Sequence, residues 1–190
     1  MTSLFPVEPV FPEGFQYYAD FLSEAEEMEL AEAVAKLELH MLIFQGFEAK
    51  RKVESYGYNY HFDSRTVTKG KDVPEALQFL VAKVAIFLSM PAEDFEQLLV
   101  TEYPPGSVIN WHRDAPPFDV IAGVSLLSDC KFKLRPYDRA AREGRKSTIS
   151  LDVKRRSLYI IKGESRESWE HSIAPVAETR YSITLRSLRK

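Results

Sequence analysis

Cysteine is almost missing from this chain, since Cys130 is the single one among 190 residues. One cysteine excludes a disulfide within the chain, and we expect a protein of the reducing cytoplasm. The N-terminus also lacks the basic segment and apolar core of a secretory signal. The longest apolar stretch, Leu77–Leu88, contains Gln78 and Lys83 and is too short to span a bilayer, so we expect no membrane partner.

The remaining composition is that of a folded domain. Hydrophobic residues make up 45% of the chain and charged residues 28%, which excludes a disordered or collagen-like protein. A chain of this length buries roughly 70% of its unfolded surface. Because no linker or internal repeat divides the sequence, we expect one domain over residues 1–190, and we expect it to be a monomer. Residues 1–22, which contain Pro6, Pro9 and Pro12, should form an extended arm.

Charge is distributed unevenly along the chain. Residues 1–100 contain 8 Lys or Arg against 17 Asp or Glu, whereas residues 101–190 contain 17 against 11. The basic excess is concentrated between Lys131 and Arg156, where ten basic residues accompany three acidic ones. Either an anionic ligand or partner binds in this half, or these charges lie on a solvated surface.

Two helices are predicted before a series of short strands. Ser23 and Glu26 form a capping box that begins a helix extending to about residue 39. Asp72, Pro74 and Glu75 begin a second helix that extends to about residue 88. Turn signals then separate predicted strands at 95–103, 119–127, 130–135, 147–153, 157–161, 168–173 and 180–188. This order predicts a mainly β (α+β) fold, a sandwich or jelly roll with helices packed on one side.

Three residues have the chemistry of a metal site. His112 and Asp114 are two apart in an extended segment, so their side chains point to the same face. His171 ends a predicted strand that should return to the same sheet. Two histidines and one carboxylate on one side of a metal are the ligand set of non-haem Fe(II) oxygenases. A surface histidine beside an aspartate is the alternative interpretation of the H-x-D motif alone.

A second polar pattern follows directly downstream. Arg180, Ser182, Thr184 and Arg186 alternate along the last predicted strand and therefore share one face. Buried guanidiniums need anions. A dicarboxylate ligand would supply them, because arginine binds a carboxylate through two parallel hydrogen bonds. The alternative is an edge strand with solvated arginines.

Together these motifs resemble the AlkB family of Fe(II)/2-oxoglutarate dioxygenases. H-x-D at 112–114, a histidine at 171 and R-x-S-x-T-x-R at 180–186 follow that family's order, in which the last motif normally reads R-x-N-x-T-x-R. Residues 101–106 resemble its N-x-Y-x-x-G strand, and residues 156–173 resemble the segment that leads to its distal histidine. Residues 45–65 resemble its substrate lid.

The resemblance implies a fold, cofactors and residue roles. The fold would be a double-stranded β-helix, which is a jelly roll, with the helices outside. Fe(II), 2-oxoglutarate as cosubstrate and dioxygen would be required, and the iron and cosubstrate would supply the difficult chemistry. The implied iron ligands and catalytic residues are His112, Asp114 and His171. The implied 2-oxoglutarate contacts are Tyr103, Arg180, Ser182 and Arg186, and the implied substrate contacts are Arg51, Tyr56 and Tyr60.

The expected reaction is oxidative demethylation of N-alkylated nucleic acid bases. Basic residues would contact phosphates, and aromatic residues would stack on an unpaired base. The same chemistry on a protein or a small molecule is an alternative, and a metal-binding scaffold without turnover is another. Thr101 and Ser182 each replace a family asparagine. Pro116 stands where DNA-repairing relatives carry an acidic residue that contacts the base.

Overall fold

The structure, a computed structural model, describes residues 10–44, 47–61, 64–142 and 147–190. Its helices are α1 (Glu24–Ala35), α2 (Glu75–Leu88) and α3 (Glu164–Glu167), with a 3₁₀ turn at Ala92–Asp94. Its strands are β1 (Phe15–Tyr18), β2 (His40–Phe44), β3 (Phe47–His61), β4 (Thr66–Lys69), β5 (Gln97–Tyr103), β6 (Ile109–His112), β7 (Phe118–Leu126), β8 (Cys130–Pro136), β9 (Ile149–Val153), β10 (Leu158–Ile161), β11 (Trp169–Ile173) and β12 (Arg180–Leu188).

The strands form two antiparallel sheets that make a jelly roll. The major sheet has the order β1-β10-β7-β12-β5-β3-β2, with β4 paired to β3, and the minor sheet has the order β6-β11-β8-β9. The fold predicted from the sequence is therefore confirmed. The seven strands expected from residue 95 onward are confirmed with ends within two residues, although β6 was not among them.

The two long helices pack on the outer face of the major sheet. A helix-side core contains Leu30 and Val34 of α1 and Leu77 and Leu80 of α2, together with strand residues such as Val100. A separate core, which we call the inter-sheet core, contains mostly aromatic and branched side chains: Tyr103, Phe118, Phe132, Leu134, Tyr159 and Ile173. Apolar burial on both faces of the major sheet fixes its position between the helices and the minor sheet.

The first helix begins as predicted and the second does not. The Ser23 hydroxyl accepts from the Glu26 amide at 3.2 Å, and the Glu26 carboxylate accepts from the Ser23 amide at 2.8 Å, which confirms the capping box. Helix α1 ends at Ala35, because its last turn tightens to bonds of the 3₁₀ type. The expected cap by Asp72 is wrong: α2 follows Pro74 at the N-cap, with no side-chain capping bond.

Part of the expected N-terminal arm belongs to the major sheet. Strand β1 pairs with β10, with Phe15 opposite Ile161, and residues 1–9 lie outside the described residues.

No helix in the described ranges has both the length and the apolar character that crossing a bilayer requires.

The expected lid, residues 45–65, contains most of the long strand β3. Residues 45, 46, 62 and 63 lie outside the described residues. Gly57 has a φ of +79°, and a Cβ at this position would lie 2.1 Å from the Glu96 carbonyl oxygen. Beyond Gly57, β3 leaves β5 and forms a hairpin with β4. The irregularity also exchanges the faces of β3, so that Tyr56 lies in the helix-side core and Tyr60 packs on the inter-sheet core.

Candidate active site

The fold brings the three predicted metal ligands together inside one end of the jelly roll. His112 on β6 lies directly opposite His171 on β11, and the two ring centroids are 4.3 Å apart. Asp114 follows β6 by two residues. One ligand atom from each of these three side chains lies within 4.8 Å of the other two, which is a spacing that a single metal ion can bridge.

Both imidazoles are prepared to bind a cation. Nδ1 of His112 is 2.9 Å from the Asn110 carbonyl oxygen, which can only accept, so Nδ1 carries the proton and Nε2 is free for a metal. His171 is buried and its ring stacks on Phe132, with centroids 5.3 Å apart. Burial, assisted by the neighbouring His112, lowers the pKa of His171 to about 3. His171 therefore stays neutral, which is the form that coordinates metals.

Asp114 divides its two oxygens between a guanidinium and the imidazoles. Oδ1 lies 2.6 Å from Nη2 of Arg186, and Oδ2 lies 3.6 Å from Nε2 of His171. Burial alone would raise the pKa of Asp114, but the positive charge of the adjacent Arg186 outweighs burial and holds this pKa well below its usual range. The backbone is fixed too, because Arg166 donates to the carbonyls of Asp114 at 3.1 Å and Ala115 at 2.7 Å.

Arg180, on the same strand as Arg186, is fully buried and has no anionic partner among the described residues. Its Nε donates to the Ser125 hydroxyl at 2.9 Å, and its guanidinium lies 4.9 Å from the centre of the Tyr103 ring. Among the described residues, neither terminal nitrogen has a hydrogen-bond partner. A buried cation with two unused donors is costly unless a ligand pairs with it. A dicarboxylate such as 2-oxoglutarate has the chemistry that these donors require.

The rest of the arginine strand faces the same interior. Ser182 and Thr184 are buried, with their hydroxyls 3.4 Å apart, and Ser182 lies opposite Thr101 on β5. Arg186 is engaged at both ends, since Nη1 donates to Gln97 at 2.8 Å while Nη2 pairs with Asp114. The expected common face of β12 is therefore present, with one arginine unpaired and the other bound to a candidate metal ligand.

The expected substrate residues are divided. Arg51 donates to the Val108 carbonyl at 3.3 Å, beside the turn that leads into β6. Tyr60 packs on Phe118, with ring centroids 6.4 Å apart. The expected substrate contact by Tyr56 requires a correction. Tyr56 is 7% exposed in the helix-side core, on the far side of the major sheet from the His112-Asp114-His171 cluster. The face exchange at Gly57 separates it from Tyr60.

The sequence assigns no role to two residues that support this site, Gln97 and Arg166, although Arg166 lies in the segment, residues 156–173, that resembles the AlkB family. Gln97 is 4% exposed and binds Arg186, and Arg166 is 5% exposed and holds the Asp114 backbone. A signal for Gln97 was available, because it alternates with Thr101 and Tyr103 along one strand and therefore shares their face. A buried arginine in a short helix has no comparable pattern.

An open cavity of about 440 Å³ lies near the same end of the barrel and is lined by three arginines, one tyrosine and two carboxylates: Arg135, Arg139, Arg142, Tyr137, Asp138 and Glu170. Arg135 and Arg142 both bind Oε1 of Glu170, the neighbour of His171. In the register of β8 with β11, Pro136 lies opposite Trp169, two residues before His171. The segment that follows Pro136 therefore begins close to the candidate metal ligands. Two guanidiniums stack on rings: Arg135 lies 4.1 Å from the centre of Trp111, and Arg113 lies 3.7 Å from that of Tyr137.

A jelly roll with an interior His-Asp-His cluster and a buried, unpaired arginine defines a class, the non-haem oxygenases that use a carboxylate cosubstrate. A family model described as the 2OG-Fe(II) oxygenase superfamily matches residues 14–187. The chain belongs to this superfamily and is a dioxygenase that depends on Fe(II) and 2-oxoglutarate.

Relatives and solved structures agree with the AlkB resemblance. The mouse tRNA (carboxymethyluridine(34)-5-O)-methyltransferase ALKBH8 is 30% identical over 172 residues, which are 86% of this chain and 24% of the relative. The Arabidopsis thaliana alkylated DNA repair protein ALKBH8 homolog is 28% identical over 180 residues, 84% of this chain and 50% of the relative. The chain thus spans about a quarter to a half of these relatives' length.

Two solved structures share the fold. The structure of OsALKBH1 has a TM-score of 0.68 at 14% identity and covers 94% of this chain and 99% of that one. A Pseudomonas putida prolyl-4-hydroxylase has a TM-score of 0.65 at 15% identity, with 93% of each chain covered. The recognition of an AlkB-like oxygenase from the sequence is confirmed.

Proposed function

We propose that this chain removes alkyl groups oxidatively from nucleic acid bases, with Fe(II) bound by His112, Asp114 and His171. The observation that carries the proposal is the buried cluster of these three side chains beside Arg180, whose terminal nitrogens have no partner among the described residues. Bound Fe(II), with 2-oxoglutarate and dioxygen, supplies the oxidation of a substrate C–H bond. An N-methyl group hydroxylated in this way leaves as formaldehyde.

The protein's own groups have separate tasks in this scheme. The two imidazoles and the ionised Asp114 carboxylate would hold the metal, each through one ligand atom. Arg180 would pair with the distal carboxylate of the cosubstrate. Tyr103, opposite Arg180 on β5, and Ser182, two residues along β12, would also contact it. Arg186 pairs with the Asp114 carboxylate and keeps it ionised. The aromatic inter-sheet core excludes water from these charges and strengthens their interactions.

The cavity lined by Tyr137 and three arginines supports a nucleic acid substrate: Arg135 and Arg142 pair with Glu170, and Arg139 is the cavity arginine that a phosphate would contact. Guanidiniums bind phosphates bidentately, and exposed aromatic rings stack on unpaired bases. Tyr137 is 51% exposed and Arg139 is exposed, and both line the cavity. Two relatives of the chain have names that refer to tRNA and to alkylated DNA. Arg51 and Tyr60 are the substrate contacts that we retain beside the iron site, and Tyr56 is withdrawn. A monomeric state and a cytoplasmic location belong to the same proposal.

A demethylation screen tests the chemistry. Purified protein is incubated with Fe(II), 2-oxoglutarate and one of three substrates: N-methylated DNA, N-methylated RNA or methylated peptides. Formaldehyde and succinate are measured. We expect both products with at least one nucleic acid, and neither above background for His112→Ala. Formaldehyde released only from peptides would overturn the nucleic acid assignment, and succinate without iron dependence would overturn the site.

A charge reversal tests the cavity separately. We expect Arg139→Glu to weaken binding of single-stranded oligonucleotides and to reduce the slope of log affinity against log salt by about one. Lys36→Glu is the matched control, because Lys36 is exposed at the end of α1 on the opposite, helical side of the molecule. Equal binding by the two variants, measured by fluorescence anisotropy, would remove the cavity from the substrate path.

A further inference from the structure

The side-chain amide of Gln97 is buried between β3, which contains most of the expected lid, and the His112-Asp114-His171 cluster. It is the first residue of β5 and 4% exposed. Across β5 it lies opposite Arg186 on β12 and opposite Gly57 on β3. It is therefore a cross-strand neighbour of both the arginine that binds Asp114 and the glycine at which β3 leaves the sheet.

The hydrogen bonds of Gln97 determine how its amide is oriented. Nε2 lies 2.8 Å from the Tyr58 carbonyl oxygen and 3.1 Å from the Ser55 hydroxyl, and Oε1 lies 2.8 Å from Nη1 of Arg186. A carbonyl oxygen can only accept and a guanidinium can only donate. The amide can therefore satisfy both partners in one orientation alone, with nitrogen toward β3 and oxygen toward Arg186.

From Gln97 the contacts continue through Arg186 to Asp114, one of the three candidate metal ligands. Nη2 of the same guanidinium is 2.6 Å from Oδ1 of Asp114, and its Nε has no hydrogen-bond partner among the described residues. Apart from packing over Phe118, at 5.2 Å from the ring centre, Arg186 is thus fixed by Gln97 on one side and Asp114 on the other. Without Gln97 a buried N–H loses its acceptor, and the guanidinium must move to find another.

We infer that Gln97 is a positioning residue for the metal ligand Asp114 and acts on it through Arg186. This inference rests on the proposed iron site. Groups that hydrogen-bond to a metal ligand orient that ligand, and their removal typically lowers metal affinity about 10- to 100-fold. Gln97 is one contact further from the metal. We therefore expect a smaller loss, about 3- to 10-fold, when its amide is replaced by an apolar group of similar length.

The test is the affinity of the metal-free protein for Co(II), added without cosubstrate and measured by calorimetry. Gln97→Met removes every hydrogen bond at nearly constant volume, whereas Gln97→Glu keeps an acceptor for Arg186 and loses the donors to β3. We expect Gln97→Met to bind Co(II) about 3- to 10-fold more weakly and to change the visible absorption of the bound Co(II). Gln97→Glu should stay within about twofold of the wild type, because the bond to Arg186 persists.

Two controls make the outcome decisive. Gln78→Met makes the same chemical change on an exposed face of α2 and should leave Co(II) affinity unaltered. Wild-type affinity for Gln97→Met would overturn the positioning role, and so would equal losses for Gln97→Met and Gln97→Glu, because that pattern indicates a general packing defect. Failure of the wild type itself to bind Co(II) would instead contradict the proposed metal site.

Discussion

Arg180 is the largest fully buried side chain among the described residues. Its charge is not balanced by any carboxylate in that part of the chain, although the Tyr103 ring and the Ser125 hydroxyl partly satisfy it. Elsewhere in the molecule a buried charge is paired: Glu27, 1% exposed, binds Arg155 through both carboxylate oxygens. This difference supports the proposed role of Arg180 as the residue that pairs with an anionic ligand.

We therefore expect Arg180→Met to stabilise the ligand-free protein by about 1–2 kcal/mol, because an unpaired buried charge is replaced by an apolar chain. The same variant should lose the increase in stability that 2-oxoglutarate gives the Co(II)-loaded wild type. Urea unfolding with and without 2-oxoglutarate measures both effects. Arg155→Met is the contrast: it should destabilise the fold, since Glu27 keeps its charge, and should retain the response to 2-oxoglutarate.

His171 predicts a pH dependence of the metal-free protein. Its pKa is about 3 in the folded state, owing first to burial, against 6.5 as the reference value. Below pH 6.5 the unfolded chain binds a proton that folded His171 does not, so the free energy of unfolding falls as the pH decreases from 6.5 toward 3.

With chelator present, urea titrations at pH 7 and pH 5 should show the wild type losing about 2 kcal/mol more than His171→Gln. The groups that do not interact with His171 titrate alike in both proteins, so the difference reports His171 together with its coupling to His112 and Asp114. Equal losses for the two proteins would show that His171 does not titrate abnormally.

At the scale of elements, Gly57 decides which face of β3 each side chain occupies. Gly57→Ala should destabilise the protein by more than about 1 kcal/mol, because the φ of +79° is unfavourable and the new Cβ overlaps the Glu96 carbonyl. Gly163→Ala is a comparison variant without a clash, since Gly163 has a φ of +54° and a ψ of −132° and has no atom within 4 Å of its added Cβ. Urea unfolding measures the cost of each substitution, and a Gly57→Ala protein as stable as the wild type would contradict the expected strain at Gly57.

The elements also show what the sequence could and could not predict. Regular alternation made β12 predictable to the residue, and with it the shared face of Arg180 and Arg186. Alternation fails where the backbone departs from it. Tyr56 and Tyr60 have the parity of one face, but a single glycine with positive φ lies between them and separates them. Strand β6 is four residues long, too short for a periodic pattern, and only its pairing with β11 defines it.

At the scale of the whole molecule, the major sheet has apolar cores on both faces. We propose that this arrangement makes residues 1–190 one cooperative domain, because neither the helices nor the minor sheet can separate without exposing a core that the major sheet shares. Unfolding followed by far-UV and near-UV circular dichroism should give coincident transitions in urea. Two separated transitions would contradict a single domain.

Two of the three candidate metal ligands lie at the edge of the minor sheet. Strand β6, which carries His112 and precedes Asp114, pairs with β11 alone, whereas β12, which carries Arg180, lies between β5 and β7. Amide hydrogens of residues 109–112 should therefore exchange with deuterium long before those of residues 180–186. Opening of this short edge strand would release His112 while Arg186 and Arg166 still hold Asp114 and the arginine strand stays closed, so we expect a bound ion to exchange without global unfolding.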